Sequence, residues 1–176
     1  MTILTIRAEH PDDIPAIHAL NVAAFGRAAE AQLVDRLRGT PFTTSWVAVQ
    51  GLLPAAPIVG HLCFSPVAIA QTPAQSPLVL GLAPVAVAPD RQRQGIGTAL
   101  IRQGLGECDR AGCGAIVVLG DPAYYHRFGF VPAAQFHLQC EYDVPAEAFM
   151  ALELQPGAFA GCSGIVSYQA AFRDCT

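Results

Sequence analysis

The sequence predicts a mixed α/β domain built around a central sheet. Three observations carry this. Apolar residues make up 52% of the chain and charged ones 14%, which favours a packed globule over disorder. Periodicities of two and of about 3.6 alternate along the chain, with no internal break. The 176 residues suffice for one domain with a sizeable core, so a single domain over 1–176 is expected.

The elements follow in order. Ile3 to Arg7 alternates apolar with polar and reads as a strand. In HPDDIPAIHALNVAAF, Asp12 or Asp13 can cap a helix whose apolar positions are Ile14, Ile17, Leu20, Val22 and Phe25. EAQLVDRLR gives a second helix through Leu33, Val34 and Leu37. TSWVAVQ and IVGHLCFSPVAI read as a hairpin across the turn GLLPAAP. LVLGLAPVAVAP is an apolar strand in which Gly81 and Pro84 predict a bulge or splay, and Pro89 ends it. A helix runs from about Gln94 to Ala111 and stops at Gly112. AIVVLG is a short buried strand. DPAYYHRF is a short helix with Asp121 as N-cap and Pro122 at its first position. GFVPAAQFHLQC, FMALEL and GIVSYQAAF read as further strands.

Composition excludes several function classes. The net charge is −4, and all ten basic residues are arginines, scattered apart from the local set Arg91 and Arg93, so no basic stripe is available for nucleic acid. No segment reaches the roughly 18–20 apolar residues of a membrane helix. The six cysteines form no CxxC and no Cys/His set with zinc spacing, so no metal is expected. The start MTILTIRAEHPDD has acids where a secretion signal needs a basic region and an apolar one, so a cytoplasmic protein with reduced cysteines is expected. The low charge content leaves two readings open, a large core or an apolar face buried in a homodimer.

The segment RQRQGIGTAL at 91–100 carries the chemistry. Successive backbone N–H groups at a helix N-terminus form an anion site, and the helix dipole adds to it. Gly95 and Gly97 let the backbone approach a phosphate closely, and Arg91 and Arg93 add charge at the rim. A dinucleotide fingerprint requires a third glycine where Leu100 stands, and an acidic residue about 20 positions on that is missing. A triphosphate loop requires a lysine, and the chain has none. A glycine-softened helix start without ligand is the bland alternative.

The segment VAVAPDRQRQGIGTAL resembles the signature of the GNAT superfamily of N-acetyltransferases, Q/R-x-x-G-x-G/A, at Gln92, Gly95 and Gly97. AYYHRFGF at 123–130 resembles the family's later motif, with one helix and one strand between the two. GLAPVAV, LGDPAYYHRFGF and VPAEAFMALEL resemble a bacterial subgroup of unassigned substrate. The resemblance implies a GNAT-like fold, a mixed sheet with splayed strands and flanking helices, and acetyl-CoA as donor. It implies that Gln92, Arg93, Gln94, Gly95, Ile96, Gly97 and Thr98 hold the pyrophosphate. It implies further that the backbones of Val85 and Val87 contact the pantetheine amides, and that an N–H of Val85 or Ala86 meets the oxyanion.

The reaction implied is direct acetyl transfer to a primary amine of a small molecule or peptide. It needs a base for the ammonium, a donor for the oxyanion and an acid for the leaving thiolate. Tyr125 stands four residues before Gly129, where the family has its acidic tyrosine, and a phenol stays protonated at neutral pH. Tyr124 is the rival, turned about 100° around the helix. The splayed strand carries no acid, so the base is Glu30, Asp121 or water. Glu30 also reads as an N-terminal acid on the helix dipole, Asp121 as an N-cap, His126 as a solvated residue and His61 as a hydrogen-bonded sheet histidine. GDP at 120–122 replaces a longer lead-in that often carries a pantetheine-binding Asn, which puts that contact in doubt. No cysteine has an adjacent base, which sets covalent catalysis aside. Absence of a clear base keeps a second class open, a catalytically silent acyl-CoA-binding module or sensor. A longer acyl chain or an alcohol acceptor remains a third.

Overall fold

The computed structural model describes residues 3–52 and 56–175, so the expected turn over 51–57 lies partly outside the described residues. In chain order the elements are β1 (Leu4–Ala8), α1 (Ile14–Phe25), α2 (Ala29–Leu37), β2 (Thr44–Gln50), β3 (Ile58–Pro66), β4 (Ala68–Gln71), β5 (Val79–Val87), α3 (Ile96–Arg110), β6 (Ala115–Leu119), α4 (Pro122–Tyr125), β7 (Val131–Pro132), β8 (Leu138–Cys140), β9 (Phe149–Glu153) and β10 (Ser163–Ser167). Backbone contacts group them into two compact units. Unit 1 holds 1–64, 84–104 and 170–176; unit 2 holds 65–83 and 105–169.

Unit 1 is an antiparallel ladder with helices on it. β1 pairs with β2 from Leu4↔Gln50 to Ala8↔Trp46. β2 pairs with β3 from Thr44↔Phe64 to Val49↔Ile58, with a register shift after Ala48. Val47 and Val49 project to the same face. They meet Ile17 of α1 and Val34 of α2 in one buried cluster. Leu33, Val34 and Leu37 of α2 are all buried, as their spacing predicts. In α1 only Ile17, Leu20 and Asn21 are buried; Phe25 is 39% exposed, against the expected apolar face. Asp13 does not cap α1 through its side chain. It accepts from Arg7 at 2.6 and 2.9 Å and from the His10 amide at 2.7 Å. The first half of α3 packs on β3 at very short range. A Cβ on Gly60 would lie 2.7 Å from Leu100 Cδ1 and 2.9 Å from Ile96 Cγ2. Glycine at 60 therefore sets how closely this helix approaches the strand.

Unit 2 pairs β5 with β6 in parallel, β6 with β9 antiparallel and β9 with β7 antiparallel. A second sheet has the order β4-β10-β8. Ile116, Val117 and Val118 of β6 are fully buried, the mark of a strand covered on both faces.

Three strand expectations are corrected. The run 58–69 is not one strand: β3 ends at Pro66 and β4 turns away to pair with β10. Proline has no N–H for a ladder, and the next amide, Val67, donates to Val79 O at 3.2 Å. The run 129–140 splits into β7 and β8 around a 3-10 turn at Ala133–Phe136, because Pro132 and a left-handed His137 (φ 60°) interrupt the extended chain. The tail GIVSYQAAF is strand only to Ser167; a 3-10 helix follows at Ala170–Cys175.

Gly81 has a packing reason. A Cβ there would lie 2.8 Å from Tyr168 Cε1. The β5–β6 register runs Val79↔Ala115, Leu80↔Ile116, Gly81↔Val117 and stops, although β5 continues to Val87 and β6 to Leu119. The two strands therefore part after Gly81, as the sequence predicts.

Candidate active site

The glycine loop belongs to unit 1. Ala88 leaves β5 and donates to Val59 O at 2.9 Å. A 3-10 turn follows at Pro89–Arg91, then Gln92 in extended geometry. Gln92 Nε2 donates to Val87 O at 3.2 Å, and Gln94 Nε2 to Asp90 O at 3.3 Å, so both amides brace the loop from its own backbone. Arg93 and Gly95 have φ of 59° and 85°. Arginine at such a φ is strained, whereas glycine adopts it freely. The first helical bond is Ala99 N to Gly95 O at 2.9 Å. The amides of Ile96, Gly97 and Thr98 precede it and have no carbonyl one turn back. Gly95 is exposed, and no atom lies within 4 Å of where its Cβ would stand. Ile96 is 2% exposed and anchors the helix start in the core. Arg93 forms no ion pair among the described residues; Arg91 pairs with Asp90 and reaches Gln50. Along β5, Pro84 and Ala86 are buried and Val85 and Val87 half-buried, the alternation of a strand. A backbone with exposed amides at a helix start can receive a phosphate.

Tyr125 belongs to unit 2. Asp121 caps α4 by accepting from Ala123 N at 2.9 Å, with Pro122 next, as the sequence predicts. Gly129 (φ 93°) closes the helical segment with its N–H on His126 O at 3.0 Å. The Tyr125 ring meets Phe130 edge-on at 5.8 Å and Tyr124 edge-on at 5.1 Å. It also meets Phe128 at 6.4 Å and lies against Gly120, where a Cβ would stand 2.3 Å from Tyr125 Cε2. The ring thus occupies the space a side chain at 120 would fill. Burial pushes the Tyr125 phenol up to about 12, with Tyr124 adding in the same direction. Tyr124 is differently engaged: its ring carries the Arg127 guanidinium at 4.6 Å and meets Phe128 edge-on at 5.4 Å.

The residues weighed as bases already have partners. Glu30 is buried and takes Arg27 Nη2 at 2.5 Å and Nε at 3.0 and 3.1 Å. Asp121 is the cap. His126 is exposed, with Nδ1 at 3.3 Å from Phe130 O. His61 is fully buried, hydrogen-bonded, and lowered to about 4 by burial. Its protons can be placed by elimination. Arg38 Nε donates to Glu9 Oε1 at 2.6 Å, and the Ser45 hydroxyl donates to Glu9 Oε2. The Ser45 oxygen then accepts from His61 Nε2–H at 2.9 Å. Nδ1 accepts from Asn21 Nδ2 at 3.2 Å, whose other proton goes to Ile17 O at 2.9 Å. Sequence reading foresaw the bonded histidine and missed its partners, which lie far apart in the chain.

Burial holds the Cys63 and Cys108 thiols up at about 12 and raises Cys113 as well. All six cysteines are free. Among the described residues no His/Cys/Asp/Glu group fits a metal ion, and no helix is long and apolar enough to cross a membrane.

The acetyltransferase (GNAT) domain matches residues 41–132, from β2 to β7, which spans the glycine loop and Tyr125 together. The uncharacterised N-acetyltransferase YhbS of Escherichia coli K12 is 36% identical over 170 residues, 97% of this chain and 99% of its own. The chain belongs to the GNAT family. GNAT structures agree with that membership. The crystal structure of Escherichia coli YhbS in complex with CoA has a TM-score of 0.88 at 35% identity, over 98% of this chain and 93% of its own. A GNAT acetyltransferase from Brucella melitensis, in complex with acetyl-CoA, has a TM-score of 0.76 at 34% identity, over 97% and 98%. The fold is thus the GNAT acyltransferase fold, and membership makes the chain an acetyl-CoA-dependent acyltransferase.

Proposed function

We propose that the protein transfers acetyl from acetyl-CoA directly to a primary amine, with Tyr125 as the acid that protonates the departing CoA thiolate. Tyr125 carries the reading. A phenol held near 12 stays protonated at every working pH and so can give a proton to a thiolate. Its rival Tyr124 is engaged by Arg127. The Gln92–Thr98 backbone receives the pyrophosphate, the strand backbone at Val85 and Val87 meets the pantetheine arm, and an N–H of Val85 or Ala86 faces the oxyanion. The CoA and acetyl-CoA complexes of relatives at 35% and 34% identity support this donor. The whole span 1–176 acts as one functional domain. The acceptor is a small-molecule or peptide amine, and six unpaired thiols suit a cytoplasmic setting.

Burial raises the Cys63 and Cys108 thiols and makes them poor nucleophiles, which favours direct transfer over an acetyl-enzyme. With Glu30 and Asp121 engaged, the ammonium proton passes to water. Tyr125→Phe tests the reading: turnover falls about 10²–10⁴-fold, the span of general acid catalysis, with acetyl-CoA affinity unchanged. Unchanged turnover refutes the role of Tyr125. The engaged bases also favour a second reading, a silent acyl-CoA binder. That protein binds acetyl-CoA in a calorimeter yet releases no thiol when amines are added.

A further inference from the structure

The C-terminal end of α3 brings together two cysteines that the proposed chemistry does not use. The helix ends at Arg110, and Gly112 follows with φ 84°, the left-handed turn on which many helices close. Cys113 N bonds Cys108 O at 3.0 Å, and Gly112 N bonds Asp109 O at 3.0 Å. These two bonds form the nested closure in which the residue after the glycine bonds back into the last helical turn. The side chains at the two ends of the longer bond ordinarily meet there as an apolar contact. In this chain both are thiols.

The two can be bridged. The bond from Cys113 N to Cys108 O, with the covalent bonds on either side of it, holds the two Cα atoms within about 7 Å. That is the reach of a disulfide formed without backbone movement. The thiols lie within electrostatic range of each other, since Cys113 adds to the burial that raises Cys108. Both are free, and the partners of Cys113 Sγ are two carbonyls, Leu78 O and Ala115 O, each at 3.4 Å. A thiol is a weak donor and gives up such bonds readily.

Access comes through the surface. Cys108 and Cys113 are buried, but the four residues between them, 109–112, are all exposed. Single backbone bonds and the Arg110–Glu107 ion pair fasten this turn. Exposed helix ends open locally, while the rest of the fold stays closed. Both cysteines belong to unit 2, so the bridge needs nothing from unit 1.

We propose that Cys108 and Cys113 form a reversible disulfide site, oxidised by a small disulfide of the glutathione type, that fastens the end of α3 to the entry of β6. One cysteine thiolate attacks a sulfur of the small disulfide. Its S–S bond breaks, a mixed disulfide forms, and the first small thiol leaves with a proton. The second cysteine thiolate then displaces the other small thiol. Two protein thiols lose two protons and two electrons, and the small disulfide gains them as two thiols. Burial raises both protein thiols, so exchange begins from the opened turn and is slow at neutral pH. The finished bond closes the loop 108–113 and takes from the helix end its freedom to fray.

Oxidised glutathione added to the folded, full-length protein tests this. Remaining thiols are blocked, and the protein is cut with trypsin. Cleavage after Arg102, Arg110 and Arg127 puts the two cysteines on neighbouring peptides, 103–110 and 111–127. The expected product is these two peptides joined, two hydrogens lighter than their sum, and separated again by dithiothreitol. In the oxidised protein, amide hydrogen exchange at Gly112 and Cys113 should slow about tenfold or more. The proposal is overturned if folded wild type yields no joined peptide, or yields it only after urea has unfolded the chain. A bridge from Cys108 or Cys113 chiefly to some other cysteine overturns it too, as does unchanged exchange at Gly112 and Cys113 after oxidation.

Discussion

Gly120→Ala tests whether the seat of Tyr125 matters for turnover. The added Cβ would stand 2.3 Å from Tyr125 Cε2, 2.9 Å from Cδ2 and 3.3 Å from Cζ, where ordinary contact begins at 3.4 Å. The ring must therefore retreat by about 1 Å, or the end of β6 must shift with it. β6 is poorly placed to give way, since Gly120 N is bonded to Ala148 O at 3.0 Å and Leu119 is paired with Phe149. Overpacking of this size costs about 1–3 kcal/mol of stability, a fall in Tm of about 2–12 °C. A misplacement of about 1 Å in a reacting group costs up to about 10²-fold in rate. The assay is thiol release from acetyl-CoA against a panel of primary amines, beside calorimetric binding of acetyl-CoA and a thermal melt. The expected outcome is turnover down about 10–100-fold with donor affinity preserved. In a Tyr125→Phe background the same alanine should add little, because both changes act through one hydroxyl. Wild-type turnover in Gly120→Ala, or a full additional loss on top of Tyr125→Phe, refutes the reasoning.

Other outcomes are equally specific. Gly95→Ala forces an alanine to φ 85°, which costs about 1–2 kcal/mol and should weaken acetyl-CoA binding about 5–30-fold by calorimetry. kcat/KM should rise with pH up to the pKa of the amine itself, since only free amine reacts. It should show no alkaline fall from Tyr125 below about 12. His61 is depressed from 6.5 to about 4, so the unfolded chain takes its proton first as pH drops. Its contribution is complete above 6.5 and disappears as pH falls from 6.5 to about 4, a loss of about 3 kcal/mol in denaturant melts. His61→Gln should flatten that acid limb. Gly60→Ala should lower stability by about 1–3 kcal/mol, because Leu100 and Ile96 stand within 3 Å of the added carbon.

What the sequence revealed depended on how local the cause was. Asp121 and Pro122 start α4 by a bond two residues away, and Gly95 holds its turn by its own φ; both were legible. The parting of β5 from β6 was legible from Gly81 and Pro84, though Gly81 answers chiefly to the Tyr168 ring, a contact from far along the chain. Strands over 129–140 were overcalled, because apolar alternation hid the left-handed His137. The bonds among Glu9, Ser45, His61 and Asn21 join β2, β3, α1 and the segment after β1, and left no spacing to recognise. The pairing of Glu30 with Arg27 joins the first turn of α2 to the bend just before it, three residues back, and was not drawn from the sequence.

The interleaving of the two units bears on how the protein is made. The first segment of unit 1 precedes all of unit 2, yet its last segment, 170–176, follows all of it. In that segment Phe172 is buried, Asp174 pairs with Arg36, and Cys175 Sγ donates to Ala29 O at 3.1 Å. A ribosome delivers these residues only after it has made all of 65–169. Unit 1, the first begun, therefore completes its packing after unit 2 has been synthesised in full. No single proteolytic cut releases either unit as one peptide, and removing 170–175 takes away contacts made by α2.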